Sequence, residues 1–177
     1  MPGRRPTAEP HGIDAVTRVL ERFGVSYEIV EHDATYSAAA EAEAAATNPE
    51  ATAKTVALHD RHGYRLAVVP ASERVDLRRA RDLLGATRHL RLATEEELRH
   101  DFPAFELGAM PPFATAPLPE VVDVNLLRHK RILCAGGEHR RSVVVDALDL
   151  LRITQPRVAD ICEHSEEREL AETLPSY

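Results

Sequence analysis

The sequence predicts an α+β (mixed α/β) fold: a single domain in which a mixed, curved β-sheet is flanked by helices. Three observations carry that expectation. Apolar residues switch between helical and alternating spacing without a strict strand–helix–strand order. Residues 53–71 hold two strand-like runs joined by "RHG", a hairpin signal. Late in the chain, three strand-like runs follow one another with no helical segment between them. A doubly wound fold would alternate strands and helices throughout.

The elements follow in order. Pro2, Pro6 and Pro10 make residues 1–11 a flexible arm. Ile13, Val16, Leu20 and Phe23 keep helical spacing, and Gly24 supplies the stop. "VSYEIVEH" alternates as a half-buried strand. Ser37 is placed to cap the helix "AAAEAEAAA", which "TNPE" ends at Pro49. The hairpin "AKTVALHD"/"YRLAVVPA" comes next. Asp76 then caps a helix through Leu84, with Gly85 after it. "HLRLA" reads as a strand, and Thr94 with Glu97 forms a capping box for a short helix. From Asp101 to Glu120 no period survives among the prolines and glycines, so this is a long loop of the kind that often carries function. "EVVDVNLL", "RILCAGG" and "RSVVVDAL" are three more strands, and Asp146 caps a helix over "ALDLLRI". The domain is expected to span residues 12–162, with 163–177 an acidic helix or tail.

At 177 residues the chain has the size of one domain. Such a domain buries roughly 70% of its unfolded surface and needs no disulfide staples. A net charge of −7 argues against wrapping nucleic acid, DNA included, while leaving room for a local basic face. Cys134 and Cys162 have neither metal-ligand spacing nor a disulfide framework, which fits a reducing compartment. No apolar run reaches the roughly 18–20 residues of a membrane span, and the N-terminus lacks a signal-peptide core. A cytoplasmic protein without membrane partners is expected.

Lys54 is the first candidate for chemistry. Lys54 and Lys130 are the lysines of a chain that otherwise writes its positive charge as arginine. In a strand, Lys54 shares a face with Val56 and Leu58, an unusual place for an ammonium. Burial there favours the neutral form or demands a polar partner. A strand-end lysine snorkelling to water explains the same pattern. "GAMPPF" (Gly108–Phe113) offers a glycine able to aim backbone N–H groups at a ligand oxygen, although a rigid surface turn has the same composition. "CAGGEHRR" carries Gly136 and Gly137, then His139, Arg140 and Arg141, which a plain hairpin turn also accounts for. The run Arg74, Arg78, Arg79 and Arg81, with Arg128, Lys130 and Arg131, is a solvated face or a patch for an RNA backbone. Neither HExxH, Walker A, GxGxxG nor a nucleophile elbow is present, so metal and nucleotide-hydrolysis chemistry start low.

Taken together, "AKTVAL", "LAVVPASERVDL", "GAMPPF", "VVDVNLL" and "CAGGEHRRSVVV", in this order and spacing, resemble the YbaK/prolyl-tRNA-synthetase-associated editing domain over residues 25–161. That resemblance implies a YbaK-like fold and metal-independent, cofactor-free hydrolysis of wrongly charged aminoacyl-tRNA. Lys54 matches the family's essential lysine, its role as base or anchor open. Gly108 and Pro112 match its G-x-x-x-P loop, and Gly136 and Gly137 its glycine turn; His139 lies near a functional histidine of some members. Thr55, Pro111 and Phe113 complete the expected substrate-binding set. Pro111 departs from the small polar residue of many relatives. Arg140, Arg141 and Arg78 are the expected tRNA contacts. The implied partner is the acceptor end of mischarged tRNA, with docking on an aminoacyl-tRNA synthetase left open. A non-catalytic module binding tRNA or a synthetase is the second reading, and a Schiff-base lysine enzyme the third.

Overall fold

The computed structural model describes residues 8–113 and 116–164. Most of the expected tail after Cys162 and most of the expected N-terminal arm lie outside these residues. Helix α1 (Ile13–Arg22) turns Ile13, Ala15, Val16 and Leu20 inward, and Gly24 at φ 63° ends it as the sequence predicts. Strand β1 (Tyr27–Glu31) leads to α2 (Ala38–Ala44), where the Ser37 hydroxyl accepts from Ala40 N at 3.2 Å. The hairpin of β2 (Ala53–Asp60) and β3 (Gly63–Pro70) pairs Lys54 with Val69 and Thr55 with Val68. Asp76 caps α3 (Leu77–Leu83) through the N–H groups of Arg78 and Arg79. After β4 (Arg91–Leu92), the Thr94/Glu97 capping box opens α4 (Glu95–Asp101). Past the long loop come β5 (Glu120–Asp123), β6 (Arg131–Glu138), β7 (Arg141–Asp146), α5 (Ala147–Thr154) and β8 (Arg157–Ala159).

The strands divide between two sheets where the sequence led us to expect one. A three-stranded antiparallel sheet runs β1-β7-β6, and a five-stranded mixed sheet runs β4-β2-β3-β5-β8. They touch through a parallel bridge from Thr52, just before β2, to Leu133 of β6. The run "EVVDVNLL" also differs from a plain strand. The Asp123 carboxylate accepts from Asn125 N and from Ile161 N, both at 2.9 Å, and winds residues 124–128 into a 3₁₀ turn. Strand β8 has no hydrophobic period to announce it; it forms by parallel pairing with β5.

Two apolar clusters hold the layers. The larger joins α1 and α5 to both sheets through Leu20, Val68, Phe113, Leu126, Val143 and Leu150. The smaller packs Leu58, Val69, Val121 and Ile161 around Ala80 of α3. No helix among the described residues is long and apolar enough to cross a membrane.

The larger cluster contains a cost. Glu120 is 5% exposed, and its Oε1 has no hydrogen-bond partner. Burial raises its pKa to about 8, with the Thr154 hydroxyl drawing it back only in part. The unfolded carboxyl titrates near about 4.3. Its contribution is therefore fully present below about pH 4.3 and is lost as pH rises through 8. Urea unfolding should show Glu120→Gln gaining stability over the wild type as pH goes from 5 to 8.5. A constant difference across that range would contradict it.

Candidate active site

Lys54 is the second residue of β2, half-buried on the Val56–Leu58 face as its spacing predicts. Its Nζ donates to the carbonyl of Glu73, in the turn after β3. The neighbouring Thr55 faces the other way, and its Oγ1 is buried with no hydrogen-bond partner. An orphan hydroxyl beside the one lysine of the strand is a place where a ligand or water gains a bond. Ala53, just before Lys54, packs in the same cluster as Phe105 and Phe113.

The long loop is clamped by backbone geometry. Gly108 adopts φ 79°, and a Cβ there would lie 2.7 Å from the carbonyl oxygen of Tyr36. A side chain at 108 is thus excluded twice, by conformation and by space. Glu106 N donates to Gly137 O at 2.9 Å, and Gly137 N donates to Ala109 O at 3.1 Å. Gly137 itself is at φ 81° against Gly12 and Phe105. Gly136 has no room for a Cβ, which would meet Arg141 O at 2.3 Å. Pro111, Pro112 and Phe113 are buried, the Phe113 ring only 1% exposed in the core, so this end of the loop is supported from below.

His139 closes the clamp. Its N–H donates to the Glu106 carboxylate at 2.7 Å, Nδ1 lies 3.1 Å from the same oxygen, and Nε2 meets Leu107 O. Both ring nitrogens are thus turned to oxygens of the loop, which makes the ring a brace rather than a free base. On the other side its ring meets that of Tyr36, centroids 4.5 Å apart.

Sequence reasoning missed Tyr36, Glu106 and a buried polar network. His32 Nε2 lies 2.8 Å from Ser142 Oγ, which contacts the Glu41 carboxylate, while Nδ1 faces the Asp33 carbonyl at 2.7 Å. A carbonyl only accepts, so Nδ1 carries hydrogen. The two remaining contacts need one hydrogen each, and the serine supplies one; the other sits on His32 or Glu41. Burial pushes the Glu41 carboxyl up, against the Ser142 hydrogen bond and the nearby His32. The Ala-rich helix gave no sign that this glutamate turns inward.

The expected RNA contacts lie on two elements, α3 and the β6–β7 turn. Arg140 is exposed beside His139, and Arg78 is exposed on α3. Arg141 pairs with Glu138 at 2.6 Å, Arg131 with Glu28 at 3.0 Å, and Arg79 with Asp76 and Asp160. Burial pushes the Cys134 thiol far above its ordinary value, and that of Cys162 likewise with help from Asp123, so neither is a ready nucleophile. Among the described residues, no three His, Cys, Asp or Glu are grouped to hold a metal.

A family model for the aminoacyl-tRNA editing domain matches residues 32–153, from His32 of the polar network to the end of α5. The chain belongs to the aminoacyl-tRNA editing domain family. It is 26% identical over 148 residues to the prolyl-tRNA editing protein ProX of Acetoanaerobium sticklandii, covering 80% of this chain and 89% of that protein. It is also similar to the crystal structure of a proposed trans-editing enzyme for prolyl tRNA synthetase. That match has TM-score 0.76 and 31% identity, over 86% of this chain and 97% of the other. The hypothetical protein APE2540 shares the fold at TM-score 0.74 and 24% identity, over 84% of this chain and 99% of its own. The mixed α/β architecture expected from the sequence is that of these editing-domain neighbours.

The clamp generates a graded prediction. Gly108 and Gly85 both have positive φ, but nothing lies within 4 Å of a Cβ at Gly85. Gly85→Ala should cost about 1 kcal/mol of unfolding free energy, and Gly108→Ala clearly more, about 2–3 kcal/mol. Equal shifts in the urea midpoint would show that the Tyr36 carbonyl yields freely.

Proposed function

We propose that the protein is a trans-acting deacylase that hydrolyses the ester of mischarged tRNA. The observation that carries this reading is the Gly108 loop, locked on Gly137 and His139 with a backbone shape that excludes side chains. A loop held so can present N–H groups to a carbonyl oxygen as charge develops on it. The scissile ester is activated, so a positioned water suffices without a protein nucleophile or a metal.

We assign Lys54 the role of anchor and electrostatic aid. Its Nζ donates to a carbonyl oxygen in the free protein, and a nitrogen held as a donor supports anchoring over general-base duty. On substrate binding the same donor would turn to the terminal ribose-phosphate or the ester carbonyl. The names of the relatives point to tRNA for proline carrying a wrong amino acid; Ala, Cys and Ser are the natural candidates, with Pro the cognate comparison. Such small side chains differ by only about 1–3 kcal/mol in a synthetase pocket, which is why a second site is useful.

Deacylation of a panel of mischarged tRNAs tests the reading. Lys54→Ala should lower kcat/KM by about 10²–10³-fold, and Lys54→Arg should not restore it, because a planar fork cannot replace a compact ammonium. Turnover unaffected by Lys54→Ala would remove the lysine from the mechanism. A wild type that retains tRNA without hydrolysing any member of the panel would favour the accessory-module reading instead.

A further inference from the structure

We propose that Tyr36 is a stacking platform for the unpaired terminal base at the 3′ end of the RNA substrate; the proposal rests on the deacylase reading above. Tyr36 is 72% exposed, an unusual position for a ring this large. An isolated surface tyrosine would need no explanation, but this one is held at both ends. Its backbone carbonyl sits over Gly108, and one side of its ring is braced by His139. The preceding residues are pinned as well: His32 N donates to Arg140 O at 3.0 Å, and Thr35 N to His139 O at 2.9 Å. The His32–Ser142–Glu41 network anchors the start of this segment in the protein interior. Ser37, on its far side, caps α2.

The result is an aromatic ring fixed in place yet open to solvent, at the edge of the loop assigned to the ester. Arg140 lies exposed on the turn that bears His139. An aromatic face with an arginine nearby is the usual equipment for a single-stranded nucleic-acid end, where bases stack and phosphates meet guanidinium. The acceptor end of tRNA is single-stranded and finishes in a purine, the base with the largest stacking face. A preordered ring binds it without a large loss of side-chain freedom. The chain's net charge of −7 makes such local, largely uncharged contacts more useful than a broad basic surface.

An acceptor-stem hairpin ending in 2-aminopurine reads the stacking directly, because its fluorescence is quenched on a ring. Wild type and Tyr36→Phe should quench it, and Tyr36→Ala should not. Tyr36→Ala should also raise KM for mischarged tRNA by about 5- to 150-fold while leaving kcat and the melting temperature close to wild type. A wild type that deacylates tRNA without quenching the probe, or a Tyr36→Ala protein that quenches as well as the wild type, overturns the platform and leaves the deacylase reading intact. A wild type that neither binds nor deacylates tRNA overturns both. A large drop in the melting temperature of Tyr36→Ala, with Tyr36→Phe unable to quench, would make the ring a structural support and overturn the platform.

Discussion

The bulge at Gly136–Gly137 is the constraint on which the rest of the site depends. The register between β6 and β7 slips between Ala135 and Glu138, and the slip is possible because two residues there carry no side chain. Gly137 is then free to exchange backbone hydrogen bonds with Glu106 and Ala109. The two extra residues also re-aim Glu138 so that its carboxylate accepts from Ile13 N at 2.9 Å and pairs with Arg141. One irregularity therefore fixes the start of α1, the turn bearing His139 and the entire clamp on the long loop. This explains the conformation of Gly12 as well, whose Cβ would fall 2.4 Å from Glu138 Oε2. Bulges of this kind are features that re-aim a segment toward a site, and this one aims three.

Much of the framework was legible in the sequence because its determinants are local. Ser37, Asp76, Thr94 with Glu97, and Asp146 each cap the helix that follows within three residues, and the side chain at the cap is itself the signal. The β2–β3 hairpin was legible for the same reason. The misreadings are non-local. Asp123 interrupts an apolar run because it takes a bond from Ile161, 38 residues away, and β8 exists only as a partner for β5. The division into two sheets depends on which strands pair across the whole chain, which no single segment encodes.

The candidate site divides along the same line. Lys54 and the glycines could be singled out because each is odd where it stands: a cation on an apolar strand face, or a residue that permits unusual backbone. Tyr36, Glu106 and Glu41 are ordinary residues in ordinary runs. Their roles come from partners at 139, 139 and 142, brought near by the β1–β7–β6 sheet. The expected arginine patch is partly paired with carboxylates for a related reason. Spacing along the chain shows that the charges are close, but not that Asp76, Asp160 and Glu28 engage Arg79 and Arg131.

The choice of lysine at position 54, in a chain that favours arginine so strongly, follows from what the strand end offers. The head group emerges from an apolar face and meets a backbone carbonyl, that of Glu73. A guanidinium brings five donors in a rigid plane and would leave several without acceptors in this half-buried place. An ammonium can rotate its three donors about one axis and pass from a protein carbonyl to a ligand oxygen with little rearrangement. That adaptability is what the proposed role of Lys54 calls for. The Gly108 loop, the His139 brace and the bulge are held by fixed backbone contacts, whereas Lys54 meets a backbone carbonyl through a flexible stem. In the free protein that contact is the Glu73 carbonyl, so the lysine is not left without an acceptor.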